Sequence, residues 1–325
     1  MKIDFRTLIL LGCSLLVLFG AAVAEAQDKT FIGEDFDPWN VGASWNPPGE
    51  PGPDDDVLIP NNVGNRYCVI PEDYTDAACK SLTIEAGAKL ILEDGSQLTL
   101  GANDAPNSSN IEGLLEVGEE GDPLSAATLT IGDDHTMYGD GGVLFVNKLS
   151  TVDYPDGEDP TLTLTHNCQG ELGPTCSFMM RGGGNIEVGL VNNAIVRADL
   201  PWAGDPENPC PMYLQDQPKS GSGSWRAKGA GQLIVETSVT GSAHWRLSNP
   251  ADGHAPEIHV DSCLNGLSGD VDIRAGLFRL TETFCTTGNL TWVSTDYDST
   301  ISWTSSGIYA LFGVDTASSC PSCGN

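Results

Sequence analysis

Apolar side chains recur in pairs along this chain, at alternate positions and on an even beat. Residues 81–101 read SLTIEAGAKLILEDGSQLTLG. Leu82 and Ile84 form one pair, Leu90 and Leu92 the next, and Leu98 and Leu100 a third after the same step. Alternation of this kind puts both members of a pair on one side of a β-strand. Glu85-Ala86-Gly87 and Glu93-Asp94-Gly95 mark the turns between strands. Three such steps make a unit within the period range of solenoids, on the order of 20–50 residues. Six buried aliphatic side chains do not offset the cost of ordering a unit of that size. The unit must therefore hydrogen-bond to its neighbours and share a core with them.

Similar short runs continue at 114–117, 128–131, 143–146, 161–165 and 185–190, then at 232–236, 257–260, 270–274, 277–280, 289–293 and 300–303. Inserts rich in Gly, Asp and Pro separate them unevenly. No stretch sustains the three-and-four spacing of a helix. The pattern predicts an all-β fold, a parallel β-helix solenoid with loop insertions. A β-sandwich or jelly roll, whose strands recur at similarly short intervals, is the alternative. Residues 201–228 hold several prolines and the run Lys219-Ser220-Gly221-Ser222-Gly223-Ser224, which reads as a large loop on one continuous domain.

The N-terminus adds a compartment. Lys2 and Arg6 precede an apolar run over 8–24, and Ala24-Glu25-Ala26 is a small-x-small cleavage site. This predicts a signal peptide over 1–26, with 27–325 as the mature chain. The run is short for a membrane anchor and lacks a positive stop-transfer cluster. A lipobox at Leu10-Leu11-Gly12-Cys13 would leave too little apolar core. The expectation is a secreted or cell-surface protein with no transmembrane segment after cleavage.

Charge narrows the partners. The chain carries 45 acidic and 15 basic residues, a net charge of −30. Nucleic acid is excluded as a partner, because binding it requires Lys and Arg to displace counterions. Docking on anionic lipid fails for the same reason. An acidic surface favours cations, and Asp54-Asp55-Asp56 is the foremost of several oxygen-rich turns that could take calcium. Ten cysteines in an exported chain predict disulfides. Proximity suggests Cys68 with Cys79, Cys168 with Cys176, Cys263 with Cys285, and Cys320 with Cys323. Cys210 is left over, free or linked to another chain.

One resemblance bears on architecture. Trp39 and Trp45 lie in DPWNVGASWNPPGEPGPDDDVLIP, followed by Cys68-Val69-Ile70 and Lys80-Ser81-Leu82-Thr83-Ile84. Over about residues 36–101 this resembles the opening of secreted right-handed parallel β-helix surface proteins of the pectate-lyase-like class. The resemblance implies a Trp-rich cap over about 27–60 that covers the first coil. It also implies an extracellular glycan as partner.

Candidate chemistry is sparse. Arg181 in MMRGGGN and Arg197 in IVRADL are the best basic groups for an acidic polysaccharide, with Arg274 and Arg279 next. Asp133-Asp134-His135 offers two carboxylates for acid–base work, but neighbours in a strand face opposite ways unless a turn bends them together. His254 and His259 flank Pro256 as a weak cation site, while His135, His166 and His244 stand alone. Trp202, Trp225 and Trp245, with Trp292 and Trp303, could stack on sugars or pack in the core. No set of these completes a catalytic constellation. The expected function is a non-catalytic protein presenting a β-helix face to a glycan, matrix or partner. The alternatives are a polysaccharide lyase or glycoside hydrolase, and a structural module of an extracellular assembly.

Overall fold

The computed structural model describes residues 28–61, 66–101, 107–119, 125–147, 149–166, 178–199, 210–242, 244–248, 255–292, 299–303 and 310–311. The alternating pairs fold as the periodicity requires. Ser81–Ile84, Lys89–Leu92 and Gln97–Leu100 are strands on three different faces of one coil. Asn107–Ile111 then returns to the first face, and Ile111 pairs in parallel with Ile84. Val57 lies against Leu82, Leu90 against Leu115, and Leu98 against Leu129. The chain is a parallel β-helix solenoid. Among the described residues its faces hold nine, eleven and ten strands, and a further three-stranded sheet takes the first face's place in the last coils.

Each strand turns its apolar residues inward. Leu82, Leu90 and Leu98 are fully buried and belong to one continuous core that runs from Phe31 to Phe284. Burial drives the winding, because a single coil leaves its upper and lower edges wet and the next coil covers them. At the N-terminal end Trp45–Asn46 pairs antiparallel with Lys29–Phe31 and closes the edge of the first face. Trp39 and Trp45 pack edge to face at 4.9 Å beneath it, and the Trp45 indole N–H donates to the Trp39 carbonyl at 2.7 Å.

Coil length does not keep the even step of the best repeat. On the second face one coil carries the chain only from Met179 to Ile195, whereas the coil before it runs from Gly142 to Met179, more than twice as far. The short coil is possible because its corner is glycine. Gly182 has φ +118°, and a β-carbon there would stand 1.9 Å from the Phe145 carbonyl oxygen of the preceding coil. Gly182→Ala is expected to cost about 2–4 kcal/mol, combining backbone strain with overpacking. Gly157 also has positive φ (+87°) but open space around it, so Gly157→Ala should cost clearly less. Urea midpoints of the two variants check the difference.

Two expectations need correction. Residues 201–228 are not one loop: Met212–Leu214, Lys219–Ser220 and Ser224–Lys228 supply one strand to each face. The Gly and Ser between them make tight corners, as at Gly221 with φ +117°. Residues 200–209 lie outside the described residues. Cys68 and Cys79 are not joined; both are buried thiols. Cys68 stacks on Leu90 on the second face and Cys79 on Leu100 on the third, each standing where an aliphatic side chain would. Burial pushes both thiols well above their ordinary range. Cys210 is also buried, at 2 % exposure, so it is not presented at the surface for a link to another chain. Cys263 stands at the entry to Leu264–Leu267 and Cys285 in the paired strand Phe284–Thr286. Cys168, Cys176, Cys320 and Cys323, like the predicted signal peptide, lie outside the described residues.

Candidate binding face

The second face concentrates the chain's few cations. In Met179–Gly182, Ile195–Ala198, Ser224–Lys228 and His244–Ser248, alternation turns Met180, Val196, Trp225 and Trp245 inward. The next residue of each strand then points outward, and in all four it is arginine. Arg181 pairs with Arg197, Arg197 with Arg226, and Arg226 with Arg246. Four guanidinium side chains are thus carried on successive rungs about 4.8 Å apart. Asp272 holds the same row on the following coil. Toward the N-terminus the row is Val69, Ile91, Glu116 and Leu144, without cations.

Carboxylates neutralise the two ends of this ladder unequally. Asp199 accepts from Arg197 Nε at 2.7 Å and lies 3.8 Å from Arg181. Asp272 accepts from Arg274 Nε at 2.9 Å and lies 3.6 Å from Arg246. Among the described residues Arg226 makes no ion pair, and its side-chain contact is the Ser224 hydroxyl at 3.4 Å. Burial lowers the Arg226 pKa first, and the charges of Arg246 and Arg197 add to that. The Nε groups of Arg226 and Arg246 are sealed from solvent without a hydrogen-bond partner; that of Arg246 still faces Asp272 at 3.6 Å, so the cost of about 1–3 kcal/mol falls on Arg226.

Among the described residues, cavities open along the face. One of about 340 Å³ is bordered by Tyr67, Lys89 and Glu112. The second, about 270 Å³, lies between Asp140, Met179, Arg181 and Arg197. The third, about 280 Å³, is lined by Arg226, His244, Arg246 and Asp270 among others.

The structure redistributes the other candidates. Arg181 and Arg197 come together, whereas Arg279 lies on the third face beside Glu257 at 3.4 Å. Asp133 and Asp134 do not join them. Asp134 accepts from the Thr161 backbone N–H at 2.8 Å and Asp133 from the Asp134 N–H at 2.9 Å, so both carboxylates brace a turn. His135 is buried in the interior 2.8 Å from Ser109 Oγ, and burial lowers its pKa to about 4. Asp55 accepts from the Gly52 N–H, while Asp56 takes Ser81 and Lys80, so the acidic run is spent on separate partners. Among the described residues no three His, Cys, Asp or Glu gather to hold a metal. His259 faces Asp261 at 3.0 Å.

Trp225 and Trp245 form no sugar platform. Both are fully buried, stacked at 6.2 Å inside the solenoid, because they hold inward positions of their strands. Trp202 and His254 lie outside the described residues, and Trp292 is about half exposed. Sequence reasoning missed Arg226 and Arg246. Their signal was the dipeptide Trp-Arg in SWRAK and again in HWRLS, a large inward residue followed by an outward cation.

No family model, curated protein or solved structure matches the chain. The ladder must be interpreted from its own chemistry.

Proposed function

We propose that the chain is an exported, non-catalytic β-helix whose second face binds an extended, negatively charged extracellular glycan. One observation carries this reading: four arginines stand in register on one face of a chain whose net charge is −30. Like charges on neighbouring rungs repel, and a polyanion laid along the coils relieves that repulsion. Guanidinium groups offer forked donors that suit carboxylates and sulfates. The acidic remainder of the surface disfavours diffuse attachment elsewhere and confines a polyanion to the stripe. The N-terminal apolar run with its cleavage site supports export, and the likeness to secreted β-helix surface proteins agrees with a glycan partner.

The test is retention on immobilised glycans, with charged and neutral polymers compared. Anionic polymers should retain the protein, neutral ones should not, and retention should weaken between 50 and 500 mM salt, where Debye screening shortens from roughly 14 to 4 Å. The double variant Arg226→Ala/Arg246→Ala should lose at least about tenfold in affinity, since hydrogen bonds to charged groups are worth about 1.5–3 kcal/mol. Absence of binding to every anionic polymer would overturn the reading.

A second reading has one observation in its favour. The cavity beside Arg181 and Arg197 also carries Asp140, so carboxylate and cations share a space as a lyase or hydrolase would need. Unsaturated products or new reducing ends from a uronate polymer would favour it.

A further inference from the structure

The ladder's two halves differ, and the difference specifies a ligand group. At Arg181 and Arg197 one carboxylate, Asp199, already stands against the two guanidiniums. Beyond Arg246, Asp272 is shared with Arg274. The open stretch is Arg226 with the near side of Arg246. Both line the cavity of about 280 Å³, together with Ser224, His244, Asp270 and Asp272.

We propose that Ser224, Arg226, His244 and Arg246 form a subsite for a single tetrahedral oxyanion, a sulfate monoester carried on the bound glycan. This rests on the reading of the second face as a polyanion-binding surface. Donor placement decides the chemistry. A planar carboxylate is fully engaged by one guanidinium fork. Here the donors sit on two rungs about 4.8 Å apart, with a hydroxyl and an imidazole reaching in from a neighbouring outward row. His244 pairs with Ser224 in that row, as Arg246 does with Arg226 in the other. Four donors on two rungs and two rows surround a volume rather than a line. A monoester with three terminal oxygens spread in space can face both rungs and the second row together. Asp270 lies 3.9 Å from His244 and Asp272 3.6 Å from Arg246 at the border of the same cavity, so their repulsion confines a bound anion to the Arg226 side and leaves room for one group. A negative charge near Arg226 gains most, because Arg226 has no counter-ion of its own among the described residues and its Nε–H has no hydrogen-bond partner.

The experiment compares three polymers of matched length at 150 mM salt: dextran sulfate, unmodified dextran and polygalacturonate. Affinity is measured by calorimetry, with sodium sulfate and sodium phosphate as free competitors. Dextran sulfate is expected to bind at least tenfold more tightly than polygalacturonate. Sodium sulfate at millimolar concentration should displace it. Arg226→Lys keeps the charge but removes the fork, and should reduce affinity for dextran sulfate about tenfold without lowering the thermal midpoint. Arg181→Lys should change it less than threefold. Polygalacturonate binding as tightly as dextran sulfate would overturn the sulfate subsite and leave the polyanion face standing. An unchanged affinity in Arg226→Lys would also overturn the subsite, since simple charge attraction would then suffice. If neither anionic polymer binds, both readings fail. Free phosphate that binds more tightly than sulfate and is not displaced by the polymer would assign the cavity to a small ion instead, and so overturn the subsite.

Discussion

Trp245→Ala should lower the free energy of unfolding by about 3–5 kcal/mol, among the largest losses available to a single side chain in this fold. Trp245 is fully buried. Its ring lies 6.2 Å from Trp225 in the coil before and meets Phe284 edge to face at 6.0 Å, and Phe284 in turn packs on Phe278 at 5.2 Å. Removing Trp245 opens the middle of that aromatic column, and strands locked by ladders on both sides cannot collapse into the gap. A solenoid transmits the loss locally, since each coil's stability depends on its two interfaces. The coils carrying Trp225 and Phe284 should therefore lose amide protection first. Trp245→Phe keeps most of the volume and removes an indole N–H that has no hydrogen-bond partner, so it should cost much less. Urea unfolding and hydrogen exchange check both statements. A loss under about 1 kcal/mol for Trp245→Ala, well below the range for a buried Trp, would place the ring outside the dry interior.

The inward alternation that buries Trp245 also explains what could be seen in the sequence. The pairs Leu82/Ile84, Leu90/Leu92 and Leu98/Leu100 are legible because strand alternation is strict and the turns between them are short. A period of two on each strand, repeated three times before the chain returns, leaves only a few packings, and the shared core selects the solenoid. Face assignment was harder. Residues 219–224 carry a Ser/Gly composition typical of a loop, yet Lys219–Ser220 and Ser224–Lys228 are strands. Short strands with glycine corners have too little apolar content to register as strands until a neighbouring coil supplies their partners. Cys68 and Cys79 looked like a disulfide because they are near in sequence. A solenoid sends neighbouring strands to different faces, where burial treats a thiol as a small apolar group. The ladder was hardest to see. The intervals between Arg181, Arg197, Arg226 and Arg246 are all unequal, and no fixed period links them. Only the register of uneven coils brings them onto one row.

Lys219 yields the other large effect, and it depends on pH. The residue occupies an inward position of the first face, pairing with Leu190, and is fully buried. Its ammonium group donates to the carbonyls of Gln217 at 2.5 Å, Gln215 at 2.7 Å and Glu187 at 3.4 Å. Burial lowers its pKa to about 7, with Asp216 and Glu187 opposing the shift. In the unfolded chain the amine titrates near its ordinary 10.5. Between those values the unfolded state binds more protons than the folded one, so stability rises with pH, by up to about 1.4 kcal/mol per unit. Below pH 7 both states are charged and the burial penalty stands in full. Lys219→Met removes the titration and takes a donor from three carbonyls; that of Glu187 keeps the Gln217 N–H at 3.1 Å and that of Gln217 keeps the Thr237 hydroxyl at 3.4 Å, so the cost of about 1–3 kcal/mol falls on Gln215. Thermal melts of both proteins at pH 6, 8 and 9.5 should show the wild type gaining on Lys219→Met as pH rises. Parallel curves would mean that the amine keeps its proton throughout, held by its three carbonyls against the core that surrounds it.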